Sequence, residues 1–243
     1  MPLIGTVDEI DKQKLENLRQ QIPVGLRHGL TLLEKAGGNV EAAAGYFREE
    51  CLRLIVHKTG VSELAASAQL LKNNFDIAAT LNCIDEARFT LTELIIRRNK
   101  DQEEALEKIA AGVVEKEQLI REYWLHPDAL KSLQPEVFCL VMLMEWLSFS
   151  SWEDFETALY FHLDVVADLI CNQLLLPEIS DILKEARAIA IDQAPQQKAF
   201  LEKEGFVSWT PEFTAQSNLF ETQRPILINA LYHFVEGNIS KFP

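Results

Sequence analysis

A chain of 243 residues with 48% hydrophobic side chains can bury one large or two modest cores. Ten Gly and nine Pro are too few for a disordered or all-β chain. The net charge of −14 disfavours nucleic acid, whose phosphates an acidic surface repels. That charge is uneven: residues 1–100 hold 13 basic and 13 acidic side chains, and residues 101–243 hold 10 and 24.

The first stretch, MPLIGTVDEIDKQK, lacks the basic start and long apolar run of a signal peptide. The most apolar run, residues 137–147, contains Glu145 and is too short to cross a bilayer. A soluble, cytoplasmic protein without a membrane partner is expected. Cys51, Cys83, Cys139 and Cys171 lie far apart on apolar helical faces, which suits buried free thiols.

In chain order, Thr6-x-x-Glu9 has the form of a capping box and predicts a helix with Ile10, Leu15, Leu18 and Ile22 on one face, ending before Pro23. A pattern then occurs twice. Residues 25–47 read GLRHGLTLLEKAGGNVEAAAGYF, and residues 60–82 read GVSELAASAQLLKNNFDIAATLN. Without gaps, Gly25 falls on Gly60, Asn39 on Asn74 and Glu41 on Asp76. Each copy has a helical run, a Gly/Asn break that tolerates positive φ, and an asparagine placed to cap a second helix. The helix after Asn39 stays amphipathic as far as Thr59-Gly60 and so is expected to serve both copies.

The remainder reads as helices too. One spans residues 86–99, with Phe89, Leu91, Leu94 and Ile95 apolar. Another spans 103–124, where Gly112 permits a close crossing. Pro127 and Pro135 stand at helix starts. The helix from Pro135 to about residue 149 is apolar nearly all round and belongs at the centre of a bundle. Ser151 is expected to cap a helix carrying Phe155, Leu159, Leu163, Val166 and Ile170. Pro177, Pro195 and Arg224-Pro225 each open a further helix, and residues 206–218 suit a loop. No strand pair with turn chemistry is present. The polar break at residues 99–102 and the change in charge balance set a boundary between residues 1–100 and an acidic bundle, residues 101–243, packed on them.

The repeated pattern, through GGNVEAAAGYF in the first copy and Thr59-Gly60-Val61-Ser62 with NNFDIAA in the second, resembles the UBA-like fold. That fold is a three-helix unit found in ubiquitin-associated domains, in the N-terminal module of elongation factor Ts and in the nascent-chain-associated complex. The resemblance covers roughly residues 10–88. The Met-Gly-Phe/Tyr loop of ubiquitin binders is reduced here to its glycine, in Val24-Gly25-Leu26 and Thr59-Gly60-Val61, so ubiquitin binding is not implied. The Thr-Asp-Phe signature of elongation factor Ts is missing, so nucleotide exchange is not implied either. What the resemblance does imply is partner contact through Val24, Gly25, Leu26 and Tyr46 in the first copy and Thr59, Gly60, Val61 and Leu81 in the second. Tyr46 and Leu81 suit surface and core equally.

Motifs for chemistry are few. No P-loop or Gly-x-Ser-x-Gly elbow occurs, and no histidine follows a Glu at the three-residue spacing of di-metal bundles. The expectation is an all-α protein: two fused UBA-like units and an acidic helical bundle, acting without cofactor or metal as a protein-interaction module. A homodimer in which the units bind one another is a further option. The alternative is an enzyme with a metal or acid/base site around Glu122, His126, His162 and Asp164.

Overall fold

The computed structural model describes residues 7–205 and 209–243, with side chains from residue 12 onward in the first stretch. The described residues form thirteen α-helices, one 3-10 turn and no strand. The chain divides into two compact units, Met1–Phe89 and Thr90–Pro243. The division falls about ten residues ahead of the polar break that the charge balance suggested. Thr90 explains it: its hydroxyl accepts from Glu93 N at 3.3 Å while Glu93 Oε2 accepts from Thr90 N at 2.7 Å, a complete capping box that starts the second unit. Thr6 lies outside the described residues.

Unit 1 holds α1 (Val7–Gln21), α2 (Leu26–Lys35), α3 (Val40–Thr59), α4 (Glu63–Lys72) and α5 (Ile77–Glu86). Helix α3 is one 20-residue helix, as the continuous apolar face predicts. It packs on α1 and α2 in one direction and on α4 and α5 in the other. Its face buries Ala43, Ala44, Phe47, Cys51 and Ile55 among Leu18, Leu32, Leu33, Ala66 and Leu70.

The repeat is real in the backbone, but its register differs from the ungapped reading by two residues. Helix α2 starts at residue 26 and α4 at 63, and α3 starts at 40 and α5 at 77, so both intervals are 37 residues. Hydrogen bonds repeat at the same interval. Gly38 N donates to Leu33 O at 2.7 Å and Phe75 N to Leu70 O at 2.8 Å. Ala42 N donates to the Asn39 side chain and Ala79 N to the Asp76 side chain, each at 2.9 Å. The cap of α5 is therefore Asp76, not Asn74. Asn74 and Phe75 instead form the left-handed pair (φ 51° and 60°) that Gly37 and Gly38 form in the first copy (φ 59° and 78°). A left-handed phenylalanine costs about 1–2 kcal/mol. Gly25 and Gly60, aligned by letter, do different work: Gly25 caps α2 at φ −72°, and Gly60 ends α3 at φ 68°.

Unit 2 holds α6 (Leu91–Arg98), α7 (Gln102–Lys116), α8 (Pro127–Leu130), α9 (Pro135–Trp152), α10 (Phe155–Ala158), α11 (Leu163–Asn172), α12 (Pro177–Glu204), α13 (Pro211–Gly237) and a 3-10 turn, Ile239–Lys241. Helix α9 is the axis. It touches α7, α8, α10, α11 and α13, and nearly every residue from Val137 to Phe149 is buried. Each large side chain buried there contributes roughly 1.5–3 kcal/mol. Trp146 donates from Nε1 to Ala158 O at 2.9 Å. Gly112 lets α6 approach α7: a Cβ on it would meet Leu91 Cδ2 at 2.7 Å.

Several boundaries differ from the sequence reading, beginning with the helix expected over residues 86–99, which is α6 (Leu91–Arg98) with Phe89 outside it. Helix α7 ends at Lys116 because Gln118 turns left-handed (φ 53°), and residues 117–126 run on as an irregular strap. Ser151 lies inside α9, and Asp154 caps α10 instead through Thr157 N. His162, left-handed at φ 55°, then separates α10 from α11, so the expected single helix is two. Pro195 and Pro225 sit within α12 and α13 rather than at helix starts, and α13 already begins at Pro211, capped by Thr210. The flanking contacts between α12 and α13 and onto α7 and α9 hold these helices through their prolines.

Candidate functional site

The two halves of unit 1 act as internal controls for each other. Ala66 and Leu70 turn inward from α4, and on the opposite side Leu64, Ala65, Ala68 and Leu71 face outward. Leu64 is 83% and Leu71 63% exposed. The positions 37 residues earlier on α2 are Arg27, His28, Thr31 and Glu34, all polar and all exposed. His28 there is engaged by Glu50 at 3.0 Å. The same surface is thus polar in one copy and apolar in the other. Leu64, Ala68 and Leu71 recur at four- and three-residue spacing, which makes a continuous stripe. Ser62 caps the helix, accepting from Ala65 N at 3.3 Å.

The residues expected to contact a partner are dispersed. Val24 is a core residue, 5% exposed, and this corrects the expectation for it. It folds inward beneath α2, where a Cβ on Gly29 would meet its Cγ1 at 3.3 Å, so it locks the α1–α2 turn. Gly25 and Leu26 are exposed, Leu26 by 58%. Gly25 borders a 570 Å³ cleft whose other walls include Glu16, Arg19 and Gln20. Tyr46 is half-buried with Lys35 Nζ 4.6 Å from its ring centre. Thr59 is half-buried, its hydroxyl donating to Ile55 O at 2.8 Å and its carbonyl accepting from Arg88. Gly60 is exposed, and Val61 and Leu81 are half-buried against the core. At the 37-residue interval the partner of Tyr46 is Cys83 and that of Leu81 is Ala44, so these two side chains are not repeats of one site.

In unit 2 the structure brings together two of the four residues of the alternative site. The His126 and His162 rings lie 5.7 Å apart, edge to face. His162 also meets the Phe161 ring, which stacks on Phe149 beside Trp124. Burial and the neighbouring His126 lower the His162 pKa, and Asp128 partly offsets this. His126 caps α8, accepting from Asp128 N at 3.3 Å. Asp164 turns away to Arg187 at 2.5 Å, which lowers its pKa, and Glu122 is exposed on the strap. Among the described residues no three His, Cys, Asp or Glu side chains are placed to hold a metal ion.

The strap itself is fastened by a residue the sequence flagged only as an interruption. Glu145, 3% exposed, accepts from both Arg121 Nη1 (3.1 Å) and Leu125 N (2.6 Å), and its second oxygen lies 2.7 Å from Arg121 Nη2. The α4 stripe was missed as well. Its signal was present, since Leu64, Ala68 and Leu71 complement Ala66 and Leu70 to make α4 apolar on two sides, but the misaligned repeat hid the comparison with α2.

The profile of a family described as the YfbN C-terminal domain matches residues 90–240. The match begins where unit 2 begins. A protein of Escherichia coli (strain K12) described as uncharacterized protein YfbN is 35% identical over 151 residues, which is 62% of this chain and 63% of that relative. The chain thus spans less than two thirds of the relative's length. No solved structure matches. No helix among the described residues is long and apolar enough to cross a membrane.

Proposed function

The chain belongs to the YfbN C-terminal domain family through residues 90–240, and from that premise we propose that unit 1, outside the family match, is a cytoplasmic, UBA-like protein-binding module without catalytic activity. Its contact face is the outer side of α4. One observation carries this reading: Leu64, Ala65, Ala68 and Leu71 face outward where the repeated positions on α2 are Arg27, His28, Thr31 and Glu34. A leucine stripe on a capped helix supplies the apolar anchors typical of helix-mediated recognition. The shared helix α3 holds that face rigid, which lowers the ordering cost of binding.

The test is affinity capture from host cells with the full chain and with Leu64→Asp/Leu71→Asp. Both substitutions are at exposed positions, so the circular dichroism spectrum and melting curve should match the parent. A protein retained by the parent should fall about tenfold or more with the double variant. Equal retention, or no retained protein, overturns the reading.

A further inference from the structure

The turns that end α2 and α4 share one backbone and differ in what their second left-handed residue carries. Each places two left-handed residues after the helix: Gly37-Gly38 and Asn74-Phe75. In this type of helix ending, the second of those residues commonly sets an apolar side chain against the residue whose carbonyl its amide bonds. After α4 that contact is made. Phe75, bonded through its amide to Leu70 O, packs against the core cluster that includes Leu70, and its ring lies 6.4 Å from that of Phe47. After α2 the amide bond is present, Gly38 N to Leu33 O, but Gly38 has no side chain to offer. A 390 Å³ cavity lies there instead, lined by Leu30, Leu33, Glu34, Gly37 and Gly38. A Cβ on Gly38 would meet Lys14 Nζ at 2.7 Å, which is the movable tip of a side chain rather than backbone.

We infer that this cavity seats an aromatic side chain of the protein that unit 1 binds, in the position that Phe75 fills in the second half of the repeat. The inference rests on the reading of unit 1 as a binding module. Leu30 and Leu33 supply the apolar walls, and the two glycines leave the floor open. The Lys14 ammonium, 2.7 Å from where a Cβ on Gly38 would stand, is beside one of the cavity's lining residues and favours an aromatic face over an aliphatic side chain. Phe75 itself has a cation in this relation, with the Arg48 guanidinium 5.9 Å from its ring centre.

The experiment is an amide-shift titration of the full, isotope-labelled chain with N-acetyl-phenylalaninamide, and with N-acetyl-leucinamide for comparison. The aromatic probe should move the amides of Leu30, Leu33, Gly37 and Gly38, and the aliphatic probe should move them less. In Gly38→Phe the introduced ring occupies the cavity, and the response should drop about tenfold or more. Leu30→Asp, at an exposed position on the rim, should weaken it too, and this arm decides the matter if Gly38→Phe does not fold. Leu64→Asp/Leu71→Asp should titrate like the parent, so loss of the α4 face and loss of this cavity read separately. Shifts that appear elsewhere, or that both cavity variants leave unchanged, overturn the inference.

Discussion

Replacing Glu145 tests how the strap of unit 2 is held. In Glu145→Ala, the Leu125 amide loses its acceptor in a buried setting, which costs about 1–3 kcal/mol. The one methylene removed from the core, Cγ, adds roughly 0.8 kcal/mol. Arg121 is 43% exposed and rehydrates, so its lost bonds count at the low end. The sum, about 3 kcal/mol, lies at the lower end of the range for breaking a buried pair. Glu145→Gln keeps an acceptor for Leu125 N and should cost about half as much. Because the four tryptophans, Trp124, Trp146, Trp152 and Trp209, all lie in unit 2, urea unfolding followed by tryptophan fluorescence reads that unit alone. The midpoint should fall for both variants, with Glu145→Ala the more severe. A loss below about 1 kcal/mol for Glu145→Ala would show that the strap is held by something else.

The remaining expectations concern caps, acid and proline. Asn39→Ala and Asp76→Ala should each lower the stability of unit 1 by about 1 kcal/mol in chemical denaturation, while Asn74→Gly, at a left-handed position, should be neutral or stabilising. Burial and His126 lower the His162 pKa, so its neutral form favours the folded state. That contribution is complete above the ordinary histidine pKa of about 6.5 and is lost as pH falls from there through the lowered folded value. His162→Asn, which keeps a residue tolerant of left-handed backbone, should flatten this part of a melting-temperature–pH profile. Pro195→Ala restores an amide donor inside α12 and should raise stability by about 1–3 kcal/mol in the same urea experiment.

Helix content and the central position of α9 were legible because apolar periodicity is a local property. Register was less so. Gly25 and Gly60 match by letter, yet one is an extended cap and the other a left-handed terminus, and only the capping bonds of Asn39 and Asp76 reveal the 37-residue interval. The single-letter pattern also favours glycine and asparagine for left-handed turns, whereas Phe75 and His162 adopt that backbone under tertiary packing. Pro195 and Pro225 are sound start signals in isolation, and contacts between distant helices override them. The apolar stripe on α4, the proposed partner surface, was hidden for the same reason as the register: its meaning lies in comparison with α2, and the comparison needs the correct interval. His126 and His162 lie 36 residues apart in sequence and meet only through the fold.

The claim that the outer side of α4 meets a protein partner is tested most directly by photo-crosslinking in host cells. A photoreactive residue placed at Ala68 on α4 should give a discrete protein adduct, and the same residue at Thr31, its counterpart on α2, should give it in clearly lower yield. Adducts of equal yield from both positions, or from Thr31 alone, would contradict the account.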